Sequence, residues 1–332
     1  MIISKTPFRL SFFGGGTDYN SWFEENGGLI IGSTFDQYNY ITLRRLPPFF
    51  EHKTRIVYSK TEQVNCNSEI EHPSVRNCLK LTDINDGLEI HYDGDLPARS
   101  GIGSSSSFTC GMLNALHAYN HKMISKEELA KQAIHVEQVM NNESVGIQDQ
   151  ILTAYGGLNI IEMGPGNQYK VLPLILGNEF KRNFESHIML AFSGQTRFSS
   201  DNASKQINEI KNGSINTQMK EIHSIAKEGL GLFQKERDFK DFGKLFDTTW
   251  KIKRGLTKII SNSYIDDAYE IAIKNGAYGG RLLGAGGGGF MMFIAPPEKH
   301  QQIKEALAKN IKVWVPFKFE YLGSHITLYN PQ

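Results

Sequence analysis

The first half of the chain alternates short apolar runs with turn residues. The runs are rich in Ile, Tyr, Phe and Thr, which favour a pleated backbone that is buried on one face. They occupy residues 29–31, 38–43, 55–58 and 88–92. We therefore expect the first half to be built around a β-sheet.

Two stretches of the first half instead repeat their apolar residues every three or four positions, as one face of an α-helix does. They are residues 104–119 and 125–140. The second stretch begins with Ser125 and Glu128, a capping-box pair in which each side chain can bind the other residue's free amide. We expect both stretches to be helices.

The second half is dominated by helix-compatible sequence between residues 201 and 275. Residues 262–276 have the pattern of a complete helix, with a polar start, acidic residues in the first turns and a final glycine. Strand-like runs at 290–295 and 313–319 flank a helix at 298–309. This order predicts helices packed on an antiparallel sheet, so we expect an α+β fold.

The length of 332 residues corresponds to about two domains. A polar, charged segment at 177–185 lies between an apolar run and a strand-like run at 187–192, and such segments are typical of domain boundaries. We therefore divide the chain into an N-terminal domain, 1–180, and a C-terminal domain, 181–332.

The charge balance favours a small-molecule partner. Lys and Arg number 36 against 35 Asp and Glu, a formal net charge of +1, whereas nucleic-acid binding depends on a clustered excess of positive charge. The uncharged stretch to test as a membrane span, 282–297, is glycine-rich and shorter than the roughly 20 residues of a membrane-spanning helix. We expect neither a nucleic-acid partner nor membrane insertion, and the sequence leaves the oligomeric state open.

The cysteine content indicates a reducing compartment. Cys66, Cys78 and Cys110 are odd in number and lack the C-x-x-C spacing of a thiolate metal site. They are also too few for a disulfide-stabilised scaffold. The N-terminal residues do not have the charged-then-apolar order of a secretory signal, so we expect a cytoplasmic protein.

Glycine accounts for 32 residues, about a tenth of the chain against a usual share of about 7%, and much of it lies in three segments. The first segment, 7–19, is an apolar strand that runs into three glycines ending at Gly16, followed by Thr17 and Asp18. Glycines let a backbone approach a ligand closely, the two polar side chains can hydrogen-bond polyol hydroxyls, and Arg9 can supply a fixed positive charge. A hairpin turn capped by Asp18 is the alternative interpretation.

The second segment, 96–108, is a glycine loop that leads directly into the helix predicted at 104–119. The free amides at a helix start, together with the positive end of the helix dipole, form an anion site. Four serines, 104–107, add hydroxyl donors and a possible Mg²⁺ ligand. The G-x-x-x-x-G-K-[ST] pattern is absent from the sequence, which excludes an ordinary P-loop. A serine-capped helix after a flexible loop is the alternative, although it requires only one serine.

The third segment, 281–290, contains glycines at 284, 286 and 289 that formally match G-x-G-x-x-G. That dinucleotide motif must open a helix, whereas the sequence here continues into the strand-like run at 290–295. The H-R-D segment of the protein-kinase catalytic loop is also absent. The run therefore indicates close approach of the backbone to a ligand or, alternatively, tight packing between domains.

In this order and at these distances, the three segments resemble the three motifs of the GHMP kinase superfamily. The first and third motifs look most like those of the D-glycero-D-manno-heptose 7-phosphate kinases, with L-fucokinases as near neighbours. The resemblance implies a ribosomal S5-like N-terminal domain with the nucleotide phosphate loop, a ferredoxin-like C-terminal domain and a site between them. It also implies ATP-dependent phosphorylation of the anomeric hydroxyl of the heptose 7-phosphate, giving the 1,7-bisphosphate for GDP-heptose and surface polysaccharide synthesis.

The resemblance further implies the catalytic pair. Residues 146–150, before the Tyr-Gly-Gly at 155–157, look like the segment that carries the catalytic carboxylate of these kinases, so Asp149 is the candidate base. Arg9 matches the basic residue that accompanies this carboxylate in galactokinases and would keep it ionised. Phosphoryl transfer requires an oriented hydroxyl, a proton acceptor and positive charge on the phosphates, which this pair would help to supply.

The remaining assignments also follow from the resemblance. Glu137, predicted beside the apolar stripe of its helix, would hold Mg²⁺ with Ser105, or with Ser104 in its place, since Mg²⁺ needs few protein ligands beside water and phosphate. The predicted nucleotide-phosphate residues are Arg99, Gly101, Ile102, Gly103, Ser104, Ser105, Ser106 and Ser107. The predicted substrate residues are Gly16, Thr17, Asp18, Gly286, Gly287 and, for the sugar phosphate, Arg197 ahead of Arg99.

The alternatives are a free-sugar kinase of the same fold, similar to L-fucokinase or galactokinase, and a catalytically silent sugar- or ATP-binding regulator. The free-sugar kinase would not require a basic pocket for a sugar phosphate. The regulator would usually lack the base or the metal ligands, whereas candidates for both are present in this sequence.

Overall fold

The structure is a computed structural model that describes residues 1–194, 199–257 and 260–331, with the backbone alone for 199–201. Thirteen strands and eleven α-helices lie within these ranges. The strands are β1 (Ile2–Phe13), β2 (Gly28–Arg45), β3 (Thr54–Val57), β4 (Thr61–Val64), β5 (Leu88–Gly94), β6 (Leu158–Gly164), β7 (Gln168–Pro173), β8 (Ile188–Phe192), β9 (Gly279–Leu282), β10 (Phe290–Ile294), β11 (Val313–Val315), β12 (Phe319–Glu320) and β13 (His325–Tyr329).

The helices connect and cover these strands. They are α1 (Asn20–Asn26), α2 (Pro73–Leu81), α3 (Ser104–Tyr119), α4 (Lys126–Ile134), α5 (Gln148–Tyr155), α6 (Asn178–His187), α7 (Ser199–Lys211), α8 (Asn216–Gln234), α9 (Phe239–Leu256), α10 (Ser263–Lys274) and α11 (His300–Ala306). A π-helical turn, His135–Met140, continues α4.

The larger sheet has the strand order β13-β1-β2-β5-β3-β4. Beside this path, β2 also pairs with β6 and β12, and β6 pairs with β7. The long strand β2 is central because one part pairs with β5 and another with β6, while β1 runs antiparallel along its other edge. The mainly buried helix α3 packs across β1 and β2, so its first turn lies close to the strand that carries the first glycine segment.

The smaller sheet is antiparallel, with the order β11-β8-β10-β9. Helix α9 packs against β9 and β10. The second half is therefore helices on an antiparallel sheet, as its residue pattern predicts.

A cluster of phenylalanines joins the end of β1 to the second half of the chain. The Phe13 and Phe246 rings stack with centroids 4.5 Å apart, and the Phe12 ring meets Phe184 edge-on at 5.4 Å. Both β1 rings are fully buried. Burial of such rings stabilises the fold by about 2 kcal/mol each, so the first glycine segment extends from a firmly held strand.

One strand predicted from the sequence is wrong. The run 313–319 is divided between the two sheets: β11 pairs with β8 and β12 pairs with β2. Pro316 lies between them and lacks the N–H group that would continue a ladder. The last strand, β13, then pairs with β1, for example Ile2 opposite Tyr329, so residues 319–329 of the predicted C-terminal domain complete the first sheet.

The segment taken as the domain boundary, 177–185, lies almost entirely in α6. Its polar residues face solvent while Phe180 and Phe184 are buried, an amphipathic pattern that the charge content obscured. In the ranges that the structure covers, none of the helices has the length and apolar character needed to cross a lipid bilayer.

Candidate active site

The second and third glycine segments pack backbone against backbone. A β-carbon at position 101 would lie 2.6 Å from Leu283 O, and one at position 284 would lie 2.6 Å from Gly101 Cα. The amide of Phe290 donates to Ser100 O at 3.0 Å. Tight packing, one of the two interpretations of the third segment, therefore accounts for its first and last glycines.

The substitution Gly289→Ala tests this packing. Gly289 has φ +105°, and a β-carbon there would overlap Ser100 O, so we expect a loss of about 3 kcal/mol or more in the free energy of unfolding. Gly166→Ala is the matched control, because Gly166 has φ +74° with open space around a β-carbon and should cost only about 1–2 kcal/mol. Chemical denaturation measures both, and equal losses would contradict close packing at Ser100.

The middle of the third segment is held by a different contact. The amide of Gly287 donates to Ile260 O at 2.9 Å, and Gly286 O accepts from Asn202 Nδ2 at 2.9 Å. Gly286 and Gly287, both predicted to bind substrate, are thus positioned by the start of α7 and by the loop before α10.

Arg9 and Asp149 form a bidentate ion pair. Arg9 Nε donates to Asp149 Oδ1 at 2.7 Å, and Arg9 Nη2 donates to Oδ2 at 2.5 Å. Arg9 is buried in β1, whereas the side chain of Asp149, in the first turn of α5, is 25% exposed. The carboxylate therefore has one face fixed by the guanidinium and another open to a ligand.

Arg9 also joins this pair to the second glycine segment. Its Nη1 donates to Gly101 O at 2.8 Å, and its backbone amide donates to Ile102 O at 3.1 Å. A β-carbon at Gly103 would lie 2.8 Å from Arg9 Cγ. The candidate base and the candidate phosphate loop are therefore in direct contact through Arg9.

The first glycine segment forms a turn, with Thr17 N donating to Gly14 O at 2.9 Å. Asp18 braces it: Oδ1 accepts from Gly16 N at 3.0 Å, and Oδ2 accepts from Gln148 N at 3.4 Å. Burial, and next the charge of Asp149, raise the pKa of Asp18. Asp18 therefore caps the turn, as in the alternative interpretation, and also lies near the candidate base.

Thr17 is buried, and its hydroxyl is already bonded. Oγ1 donates to Leu29 O at 3.2 Å and accepts from Leu29 N at 3.1 Å. This hydroxyl ties the turn to β2 and has no donor left for a sugar.

The start of α3 presents free amides. Gly103 is the N-cap residue in the left-handed conformation, and no side chain caps the helix within the described residues. The first amides of an uncapped helix, with the positive end of its dipole, are suited to phosphate. A flexible loop before a serine-capped helix does not describe this arrangement.

The four serines of this turn face different surroundings. Ser104 Oγ accepts from the amide of Arg99 at 3.1 Å, while Ser107 Oγ is buried against the backbone of β1. Ser106 Oγ donates to Glu137 Oε2 at 2.8 Å, whereas Ser105 is exposed. Among the described contacts of the four hydroxyls, Ser106 Oγ is the one bonded to Glu137, whereas Ser105 or Ser104 is the serine predicted from the sequence to share a metal ion with Glu137.

Glu137 is fully buried in the π-helical turn after α4. Gln150 Nε2 donates to the same Oε2 at 2.5 Å, and Oε1 has no hydrogen-bond partner among the described residues. Burial, and next the charge of Glu143, raise the pKa of Glu137 to about 8. A buried carboxylate oxygen without a partner fits a cation ligand, although the described residues contain no cluster of three His, Cys, Asp or Glu around a metal-sized site.

Two arginines were predicted from the sequence to contact phosphate groups. Arg99 is exposed, with φ +59°, in the loop before α3. Arg197 lies outside the described residues.

The sequence interpretation missed two buried cations, Lys253 on α9 and Arg281 on β9. Lys253 Nζ donates to Gly284 O at 2.9 Å, and Arg281 Nη1 donates to Phe12 O at 3.0 Å. Arg281 could have been noticed in the sequence, because it is the first residue of the third glycine segment. Lys253 could not, because it lies among other charged residues of a helix.

Comparison with known proteins adds the family context. The family description "GHMP kinases N terminal domain" matches residues 73–157, and "GHMP kinases C terminal" matches residues 226–313. The D-glycero-alpha-D-manno-heptose 7-phosphate kinase of Campylobacter jejuni is 27% identical over 338 aligned residues, covering 97% of each chain. A galactokinase of Pyrococcus furiosus is 26% identical and covers 96% of each chain.

A solved structure is similar over the whole length. The crystal structure of a D-glycero-D-manno-heptose 1-phosphate kinase from Bacteroides thetaiotaomicron superposes with a TM-score of 0.80 and 23% identity. It covers 99% of this chain and 100% of its own. The likeness extends through both sheets.

Proposed function

The chain belongs to the GHMP kinase family, and on this basis we propose that it phosphorylates the anomeric hydroxyl of D-glycero-D-manno-heptose 7-phosphate. Membership confirms the two-domain α+β fold and a sugar kinase activity that uses ATP. The heptose 7-phosphate and the 1,7-bisphosphate product are the proposed part. They rest on the full-length relative from Campylobacter jejuni.

The observation that carries the proposal is the Arg9 and Asp149 ion pair beside the uncapped start of α3. Asp149 is the proposed base, because its open face can accept the proton of a sugar hydroxyl while Arg9 keeps the carboxylate in place. The amides of the first turn of α3 and the backbone of residues 101–103 are the proposed sites of the nucleotide phosphates.

We assign the magnesium ion of the reaction to Glu137 and Ser106. The unpartnered Oε1 of Glu137 and the adjacent hydroxyl are two oxygen ligands of the kind that Mg²⁺ takes in combination with water and phosphate. When bound, the ion would neutralise charge on the nucleotide phosphates. The two side chains would hold the ion beside the start of α3, and Gln150 Nε2 donates to Glu137 Oε2 and so helps to fix the carboxylate.

The serine assignment leads to a prediction. Ser106→Ala is expected to lower kcat/KM for MgATP by about 10-fold or more, since a hydrogen bond to a charged group contributes about 1.5–3 kcal/mol. Ser105→Ala, at the neighbouring exposed position, should stay within about twofold. Steady-state kinetics with varied MgATP measures both variants. A larger loss for Ser105→Ala than for Ser106→Ala would identify Ser105 as the metal ligand instead.

A substrate panel tests the proposed reaction. ADP release is measured with heptose 7-phosphate, free heptose, L-fucose, galactose and arabinose, and ³¹P NMR of the product locates the new phosphate. Preference for the phosphorylated heptose, with phosphate at the anomeric carbon, is the expected result. Equal or better turnover of a free sugar would replace the proposal with a free-sugar kinase, and no turnover of any sugar would favour a binding regulator.

We place this activity in the cytoplasm, where ATP is available, and connect its product to GDP-heptose and surface polysaccharide synthesis. Cys66, Cys78 and Cys110 are free thiols, in keeping with a reducing compartment.

A further inference from the structure

Lys253 and Arg281 are buried cations without acidic partners. Their residues are 5% and 2% exposed, and neither forms an ion pair with a carboxylate in the described ranges. Burying an unpaired charge costs several kcal/mol unless a counter-charge compensates it. Two such charges close together indicate that their counter-charge comes from a ligand.

The donors of both side chains are only partly used. Lys253 Nζ has one hydrogen bond, to Gly284 O, out of three possible donors. Arg281 Nη1 is bonded to Phe12 O, while the buried Nε has no partner among the described atoms. The structure therefore holds unused N–H groups beside the glycine segments.

The two cations flank the cluster that contains the candidate base. Arg281 Nη2 lies 3.4 Å from the position of a β-carbon on Gly15 in the first glycine segment, and Lys253 Nζ donates to the carbonyl of Gly284, the first glycine of the third segment. Burial, and next the charge of Arg281, lower the pKa of Lys253 to about 7, while the charges of Asp18 and Asp149 act in the opposite direction. The side chains thus share one electrostatic environment.

The Arg9 guanidinium is largely engaged by groups of the protein itself. It is occupied by both Asp149 oxygens and by Gly101 O. Among the described residues, Lys253 and Arg281 are the buried cations that form no ion pair with a carboxylate, so their charge is available to an incoming phosphate group.

We propose that Lys253 and Arg281 together form a phosphate-binding subsite beside the first and third glycine segments. The inference rests on the proposed function, in which both substrates carry phosphate. The phosphate is either the one already on the sugar or the terminal phosphate of ATP, and both have the same chemistry: a dianion that accepts N–H donors from an ammonium and a guanidinium.

Calorimetric titration distinguishes these sources with two ligand pairs. The affinity ratio of heptose 7-phosphate to free heptose reports contact with the sugar phosphate, and the ratio of ATP to ADP reports contact with the terminal phosphate. A general loosening of the protein would change both members of a pair alike, so each ratio isolates the phosphate.

Lys253→Met is expected to reduce one of these ratios at least 10-fold, and Arg281→Met is expected to reduce the same one. Lys251→Met is the matched control, since Lys251 lies on the same helix but is exposed and paired with Asp247, and it should leave both ratios unchanged. The ligand-free unfolding midpoint of Lys253→Met should equal or exceed that of the wild type, because the substitution removes an uncompensated buried charge.

Two results would overturn the subsite. One is a wild-type protein whose two ratios are both near one. The other is a Lys253→Met variant whose two affinity ratios stay within threefold of the wild-type values. If the unfolding midpoint of that variant were also lowered, the role of Lys253 would be purely structural. Turnover of the wild type in the substrate panel is measured separately. If the proposed reaction failed there, the affinity ratio of ATP to ADP would still test whether the subsite binds the terminal phosphate.

Discussion

Replacement of Asp149 by asparagine is expected to lower kcat by about 10³-fold while the affinity for ATP changes by less than about threefold. A positioned general base contributes about 10²–10⁴-fold, and an amide cannot accept the proton of the sugar hydroxyl. The side chain lies in the first turn of α5, where asparagine can keep one of the two Arg9 contacts. Single-turnover kinetics separates the chemical step from nucleotide binding.

Asp93→Asn is the control for this substitution, because Asp93 is exposed on β5. It should retain wild-type kcat. If Asp149→Asn kept more than about a tenth of the wild-type rate, Asp149 would not be the base, and the role of the Arg9 pair would be structural.

The second large effect concerns Glu137→Gln, which should reduce activity and increase the stability of the metal-free protein. Loss of the carboxylate removes a metal ligand, so kcat/KM for MgATP is expected to fall by about 10²-fold. The pKa of Glu137 is raised by burial from 4.5 to about 8. At neutral pH the unfolded chain therefore binds fewer protons at this residue than the folded protein does, and the wild type loses stability as the pH rises.

The stability difference between the wild type and Glu137→Gln should therefore depend on pH. Between pH 4.5 and about 8 the stability contribution of Glu137 falls with rising pH, and above about 8 the penalty is constant, on the order of a few kcal/mol. Thermal unfolding in chelator should give similar midpoints for wild type and Glu137→Gln near pH 5, and a higher midpoint for the variant at pH 8.5. A gap that is constant with pH would contradict the raised pKa.

Glu128→Gln is the control, because Glu128 is exposed on the preceding helix α4. Its unfolding midpoint should follow that of the wild type across the whole pH range. Saturating Mg²⁺ with a nucleotide should stabilise the wild type more than Glu137→Gln, since ligand binding to the folded state adds directly to its stability.

The sequence predicts local structure well where local chemistry decides it. Helix α3 begins at Ser104 as expected, because Gly103 ends the loop and the apolar positions follow at helical spacing. The Ser125 hydroxyl accepts from Glu128 N at 3.1 Å, which is half of the expected capping box. The Arg9 and Asp149 pairing follows from the family resemblance, and the structure shows the two side chains bonded.

The features that the sequence interpretation missed depend on tertiary packing. Four consecutive serines at a helix start point about 100° apart, so which of them meets Glu137 depends on how α3 and the π-helical turn are rotated against each other. Lys253 lies on an amphipathic helix whose buried face is defined only once α9 packs on β9. The run 313–319 is divided because the residues before Pro316 pair with the smaller sheet and those after it pair with the larger one, which the sequence pattern does not show.

The pairing of β13 with β1 has a consequence for biosynthesis. Residues 2–5 leave the ribosome before almost all the rest of the described chain, but their partners on one edge are residues 325–329, more than 300 positions later. Until that distant segment emerges, the outer edge of β1 exposes unpaired N–H and C=O groups, a state that invites association with other chains. The Arg9 end of the same strand thus belongs to a sheet that is completed only after nearly all of the described chain has been synthesised, and contacts of such large sequence separation form slowly.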